Sequence, residues 1–254
     1  MLSLAQLSRW QAAAGHLAIS AVVGIVVLAA MVLVWYPPPY FTAAGGNDLV
    51  FLMVGVDVAL GPLLTLAVYN PAKGLGRLRF DLAVIAICQA AALAYGVHVM
   101  YTARPAYLVY AVDRFDLVMA NLLTDAELAK ANPPFDRRPI GRPPTVGARV
   151  PDDWALKEES LFLALGGIDL TQQPRFFVPY PEIASEAAKR AAPIASLRKL
   201  NADQIEAIDR IVRSAGRPEA ELAWLAARGP NRDFVVIVDA TSGAIVDKAM
   251  LKPW

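Results

Sequence analysis

The side chains that most often do chemistry are scarce in this chain and poorly placed for it. There is one cysteine, Cys88, and there are two histidines, His16 and His98. All three precede residue 104, so residues 104–254 cannot hold a disulfide, a zinc finger or a Ser-His-Asp triad. Gly74-Leu75-Gly76 lacks the Gly-Lys-Ser/Thr ending of a phosphate loop. Asp152, Asp153, Glu158 and Glu159 are close in sequence, but neighbours point different ways on a helix, and solvated charge accounts for them. No catalytic residue, cofactor site or metal-ligand set is assigned, and the chain is read as a protein without catalysis of its own.

The most informative titratable group is Asp57, inside the apolar run of residues 49–69. By helix rise it sits roughly 12 Å from the outer end of that run, a depth at which a carboxylate is costly unless paired, protonated or wetted. Counting back along an antiparallel neighbour puts Gln89 and Tyr95 at comparable depth, where either can offer a hydrogen bond. Pro62 follows Gly61 and lacks the N–H that would bond back to Val58, which predicts a kink or loosening there, with Thr65 available to the freed carbonyls. Asp57, Gly61, Pro62, Gln89 and Tyr95 are therefore candidates for a tie between helices or for contact with a guest helix; a proton relay is a third reading of Asp57.

The elements that hold these residues follow from composition. Of 254 residues 56% are hydrophobic and 19% charged, too apolar for an ordinary soluble domain of this length. The balance of 24 Lys and Arg against 23 Asp and Glu leaves +1, which excludes bulk attraction to nucleic acid. Residues 1–103 carry only Arg9, Lys73, Arg77, Arg79, Asp48, Asp57 and Asp81, so the chain is two materials joined near Arg104. Residues 15–35, 49–69 and 82–101 are each long enough to span a hydrocarbon core of about 30 Å. The loop before Leu49 has no Lys or Arg, whereas the next holds Lys73, Arg77 and Arg79. The positive-inside rule then predicts a cytoplasmic N-terminus and an outward C-terminal part. Trp35, Tyr36, Tyr40 and Tyr101 read as an interfacial aromatic belt, and Asp81 as the cap of the third span. Ser20 with Gly24, Gly55 with Ala59, and Ala86, Ala90 and Ala94 form rows of small residues at helical spacing, where backbones can approach.

In residues 104–254 strand signals come first, over residues 106–112 and 117–120. Thr124-Asp125-Ala126-Glu127 reads as a capping box. Residues 132–153 hold six prolines and predict an extended loop, whose Arg137, Arg138, Arg142 and Arg149 are either solvated or a grip for an acidic partner. Residues 154–165 and 180–190 read as helices. Residues 201–215 form an amphipathic helix with Asn201 as cap, residues 218–227 read as another helix, and residues 233–246 as a hairpin. The expected fold is an α-helical membrane bundle of three transmembrane helices (residues 1–103), followed by a small α+β extracytoplasmic domain (residues 104–254).

Certain residues carry a family likeness. Trp35-Tyr36-Pro37, the run from Gly55 to Leu66, Tyr69-Asn70-Pro71, Phe80 to Ile85 with Gln89 and Ala94-Tyr95-Gly96, then Ala103 to Tyr107 and Val112 to Phe115, resemble type IV pilin accessory proteins of the TfpX/TfpZ type. The likeness covers about residues 9–120, with Val238 to Gly243 and Pro253-Trp254 resembling the family's end. It implies a multi-pass protein of the bacterial inner membrane with a periplasmic C-terminal domain. It implies also a chaperone or modulator of a cognate type IV pilin, its partners being the major pilin subunit, other pilus assembly proteins and the lipid bilayer. The alternative is a membrane-anchored periplasmic sensor or scaffold that binds an envelope ligand.

Overall fold

A computed structural model describes residues 7–48, 50 and 55–254, with the side chains of residues 55–57 and 71 outside the description. Contacts divide the chain into two compact units, Met1–Leu33 with Gly46–Thr102 and Val34–Gly45 with Ala103–Trp254. The segment between the first two apolar runs thus belongs with the C-terminal unit.

Along the N-terminal part come α1 (Arg9–Val34), the short α2 (Tyr40–Ala43), a π-helical stretch over Gly55–Leu60, α3 (Gly61–Val68) and α4 (Leu75–Thr102). Among the described residues α1 and α4, with 26 and 28 residues, are the two helices long and apolar enough to cross a membrane. The expected middle span is described only in part, because residues 49 and 51–54 lie outside the described residues. Pro62 stands at the second position of α3, directly after the wider π turn, where the helical hydrogen-bonding pattern changes from one spacing to the other. α4 begins seven residues before the expected 82, since Gly74 (φ +83°) turns the chain and Leu75, Leu78 and Phe80 extend the apolar run. Asp81 consequently lies within the helix, 3.1 Å from Lys73 Nζ, and is not its cap.

The second unit is built on one mixed sheet. Its strands are β1 (Pro105–Ala111), β2 (Arg114–Met119), β3 (Thr145–Ala148), β4 (Phe177–Pro179), β5 (Ala192–Pro193), β6 (Leu222–Arg228), β7 (Phe234–Asp239) and β8 (Ile245–Ala249). They lie in the order β4-β3-β1-β2-β6-β7-β8, with β5 also on β6; β1–β3 and β2–β6 are parallel and the other pairs antiparallel. Alternation along the strands separates two faces. Tyr107, Val109 and Ala111 of β1 join Val118, Val146 and Phe177 in one apolar cluster. On that same face, by the register running from Val109 through Asp116 and Arg228, Val235 and Ile237 of β7 join Trp224 and the helical residues Ile194, Leu197 and Ile208 in a second cluster. β1 is buried at all seven positions, because Tyr110 on its second face packs on Phe115 (5.2 Å) and Tyr180 (6.4 Å).

The helices of this unit are α5 (Asp125–Leu128), α6 (Trp154–Leu165), α7 (Ala184–Arg190), α8 (Ile194–Leu200) and α9 (Ile205–Ala215). Four expectations are corrected here. Residues 218–227 are a 3₁₀ turn (Glu219–Glu221) and then β6, since a six-rung ladder with β7 outweighs the helix propensity of Ala, Leu and Glu. Asn201 is not the N-cap of the amphipathic helix, which starts at Ile205 after Gln204, but the C-cap of α8; fully buried, its side chain donates to the carbonyls of Leu197 (3.1 Å) and Lys252 (2.9 Å) and accepts from Lys252 N–H (2.8 Å), anchoring the C-terminal tail. The proline-rich segment is interrupted by β3, which pairs with β1 and β4. Tyr36 and Tyr40 are not belt residues: they are buried, Tyr36 donating to Ala103 O at 3.0 Å and Tyr40 packing on Phe234 at 6.0 Å.

The turn after β7 carries a pH-dependent contribution to stability. Asp239 accepts from Ser242 N–H (2.7 Å), Ser242 Oγ (2.8 Å) and Thr241 N–H (3.1 Å), and lies 2.7 Å from Arg217. The bonds from Ser242 foremost hold its carboxyl below the usual range. A lowered folded-state pKa makes this contribution fully present above the ordinary carboxylate range and removes it as pH falls through the lowered value. Asp239→Asn is expected to reduce stability near neutrality, with the gap from the parent closing in acid. Thermal unfolding between about pH 7 and about pH 2 checks this; a gap that stays constant contradicts it.

Candidate functional site

In the first unit the polar side chains converge, and helical spacing explains how. His16, Ser20 and Gly24 recur every four residues and share a face of α1; Gly61 and Thr65 share a face of α3; Ala86, Gln89, Ala90 and Leu93 share a face of α4. His16 joins the three helices. Its Nδ1 lies 2.6 Å from Thr65 Oγ1 and its Nε2 lies 2.6 Å from Gln89 Oε1. The Gln89 oxygen has no proton to give, so Nε2–H donates to it, and in the neutral ring Nδ1 accepts from the Thr65 hydroxyl. Thr65 is 1% exposed, while His16 and Gln89 are half-buried.

Gly61 makes the approach of Gln89 possible. A Cβ at position 61 would collide with the Gln89 carboxamide, so only glycine lets that side chain lie against the α3 backbone. Beside the triad an open groove of about 210 Å³ is walled by Ser20, Val23 and Gly24 of α1 and Ala86, Ala90 and Leu93 of α4, with His16 and Gln89 in its lining. Two rows of small residues therefore border one groove, a wall shape that suits close helix packing.

The sequence-derived site residues are distributed as follows. Gln89 and Gly61 come together, with Pro62 in the same first turn of α3. Tyr95 stands on α4 with 72% of its surface exposed. The backbone of Asp57 lies in the π-helical stretch, and its side chain lies outside the described residues. Thr65, expected to serve carbonyls freed by Pro62, gives its hydroxyl to His16. His16 itself was not among the expected residues. The signal that reveals it is its four-residue spacing to Ser20 and Gly24, which places a lone histidine on the small-residue face.

The order hydroxyl, imidazole, carbonyl resembles that of an activated nucleophile, but Thr65 is sealed from solvent, so the set acts as a tie. Interhelical hydrogen bonds of this kind in membrane proteins average about 0.6 and reach about 1.7 kcal/mol each. Gly61→Ala should displace Gln89 and cost about 1–2 kcal/mol, measured as thermal unfolding in detergent. In a Gln89→Ala background the same substitution should cost far less, and equal costs in both backgrounds would contradict the contact. Among the described residues no group of three or more His, Cys, Asp or Glu is placed to hold a metal ion.

The family model described as fimbrial assembly protein FimB matches residues 5–45. The chain is 32% identical over 227 residues to the fimbrial assembly protein of serogroup E1 of Dichelobacter nodosus, covering 88% of each chain. It is 33% identical over 230 residues to the serogroup I protein of that organism, again covering 88% of each. Over 116 residues, 46% of this chain and 88% of the relative, it is 34% identical to the fimbrial assembly protein of serogroups C1 and C2. No solved structure matches the chain.

Proposed function

The chain belongs to the family of fimbrial assembly proteins, and from that premise we propose that it holds a type IV pilin in the bacterial inner membrane before the pilin joins the fibre. In this reading the protein is multi-pass, the run over residues 49–69 being a third span, with a cytoplasmic N-terminus and a periplasmic C-terminal unit. It binds without catalysis. A pilin awaiting assembly has one apolar helix and a soluble head; helices in the membrane and a domain outside it can engage both, and the shared tether raises their effective concentration.

The observation that carries the proposal is the groove between α1 and α4, where Ser20, Gly24, Ala86 and Ala90 leave room for a further helix beside the His16 tie. Asp57, in the π-helical stretch, is a suitable counter-charge for a pilin's N-terminal amine. The test is photocrosslinking in the native membrane from probes at Ser20, Ala90 and the neighbourhood of Asp57. Capture of pilin from Ser20 and Ala90, reduced by Asp57→Asn at unchanged abundance of the protein, is the expected result. Capture of non-pilin proteins alone would overturn the assignment.

A further inference from the structure

We propose that the second unit carries a docking site for an acidic polypeptide segment, in the cleft where β1, β3 and α7 end. The cleft, of about 380 Å³, is open to solvent and lies wholly within that unit. Arg149 follows β3, and Lys189 and Arg190 close α7; all three border the cleft and are exposed. One carboxylate shares the lining, Glu186, 3.9 Å from Arg149. Among the described residues neither Lys189 nor Arg190 is in an ion pair, so the cleft keeps an excess of positive charge.

The fold separates the arginines of the proline-rich segment by role. Arg138 is consumed internally, donating to the carbonyls of Ala120 and Leu123 and pairing with Asp125 at 2.7 Å. Arg149 alone of the four reaches the cleft.

A second observation lies on the rim. Val112 has φ +61°, a conformation that β-branched residues avoid, in a tight turn where Asp113 N–H donates to Ala111 O at 2.7 Å. Tyr110, buried beneath, holds it there by donating its hydroxyl to Val112 O at 3.1 Å. Burial pushes the Tyr110 phenol up to about 12, so this donor keeps its proton. The outcome is a strained valine with 61% of its surface exposed, bordering a cationic cleft. Strain that survives at an exposed position points to use of the side chain it displays.

The occupant follows from the mixed lining. Val112, Val150 and Ile183 offer apolar contact next to the three cations, which matches carboxylates alternating with aliphatic side chains. Inorganic phosphate would leave the apolar wall uncovered and meet Glu186. The site stands independently of the pilin assignment, since it concerns the other unit and any acidic segment.

The test uses the full chain in detergent and fluorescence anisotropy with a labelled peptide, Glu-Leu-Glu-Glu-Leu, against Lys-Leu-Lys-Lys-Leu. Saturable binding of the acidic peptide alone is expected. Affinity should drop at least about tenfold in Arg149→Glu/Lys189→Glu, equivalent to about 1.4 kcal/mol, with an unchanged unfolding temperature. Val112→Gly should bind more weakly while unfolding at a higher temperature, as relief of strain at a working position requires. Unchanged affinity in the charge-reversed variant would overturn the site. Displacement of the peptide by millimolar inorganic phosphate, or adsorption to anionic vesicles without peptide binding, would overturn the polypeptide assignment.

Discussion

Glu127→Ala is expected to destabilise the second unit by about 3 kcal/mol, the low end of the range for breaking a buried ion pair. Thr124 caps the short α5 by accepting from Glu127 N–H at 3.2 Å, which puts the Glu127 side chain 4% exposed between two cations. Lys130 Nζ lies 2.8 Å from its Oε1, and Arg175 Nε lies 3.6 Å from its Oε2. Arg175 is itself 11% exposed and stacks over Phe176 at 4.7 Å. Removing the carboxylate leaves Arg175 supported by Glu159 alone, at 3.0 Å. That residual partner is why the lower end of the range is expected. Thermal unfolding should fall by about 6–12 °C. The double variant Glu127→Leu/Arg175→Met should lose much less than the sum of its parts, because no buried charge is then stranded. Additive losses would show that the two residues act separately.

Gly243→Val should be at least as damaging, at about 3–5 kcal/mol. Gly243 closes the turn between β7 and β8 at φ +73°, which a β-branched residue tolerates badly. Its Cα also faces the backbone of Ala184 at the start of α7, where any Cβ would meet the Ala184 carbonyl. The obstacle is backbone, so it cannot swing aside as the Gln89 side chain can. The Gly243 carbonyl accepts from Tyr180 Oη at 2.7 Å, so displacing the turn also disturbs the Tyr110–Phe115–Tyr180 cluster beneath the cleft. Unfolding of the purified chain, followed by tryptophan fluorescence, should shift down by about 6–20 °C; a shift within about 1 °C would contradict the packing.

Local chemistry explains which elements the sequence reveals. The strands over residues 106–112 and 233–239 are legible because their apolar residues cover both faces of a sheet. Thr124 is legible as a cap because capping is decided within one turn, and its Oγ1 does accept from Glu127 N–H; Asp153, read as solvated charge, caps α6 by accepting from Leu156 N–H. The likeness to pilin accessory proteins, carried by residues 9–120, agrees with the fimbrial assembly relatives. By contrast β6 looks helical in isolation, and β3 hides among prolines, because pairing decides them: β6 is held between β7 and the distant β2, and β3 between β1 and β4.

The sequence by itself determined the division into an apolar helical part and a polar part, the apolar runs, the Thr124 cap and the scarcity of catalytic side chains, all of which depend on composition or on spacing within a turn or two. Tertiary structure alone decided that His16 joins Thr65 and Gln89, that Val34–Gly45 belongs with the C-terminal unit, that Glu127 serves Arg175, and that Arg149 meets Lys189 and Arg190. Each of these joins residues that lie on different secondary-structure elements. No helical or strand period records such a meeting; it is settled when apolar faces choose their partners and carry the polar side chains with them.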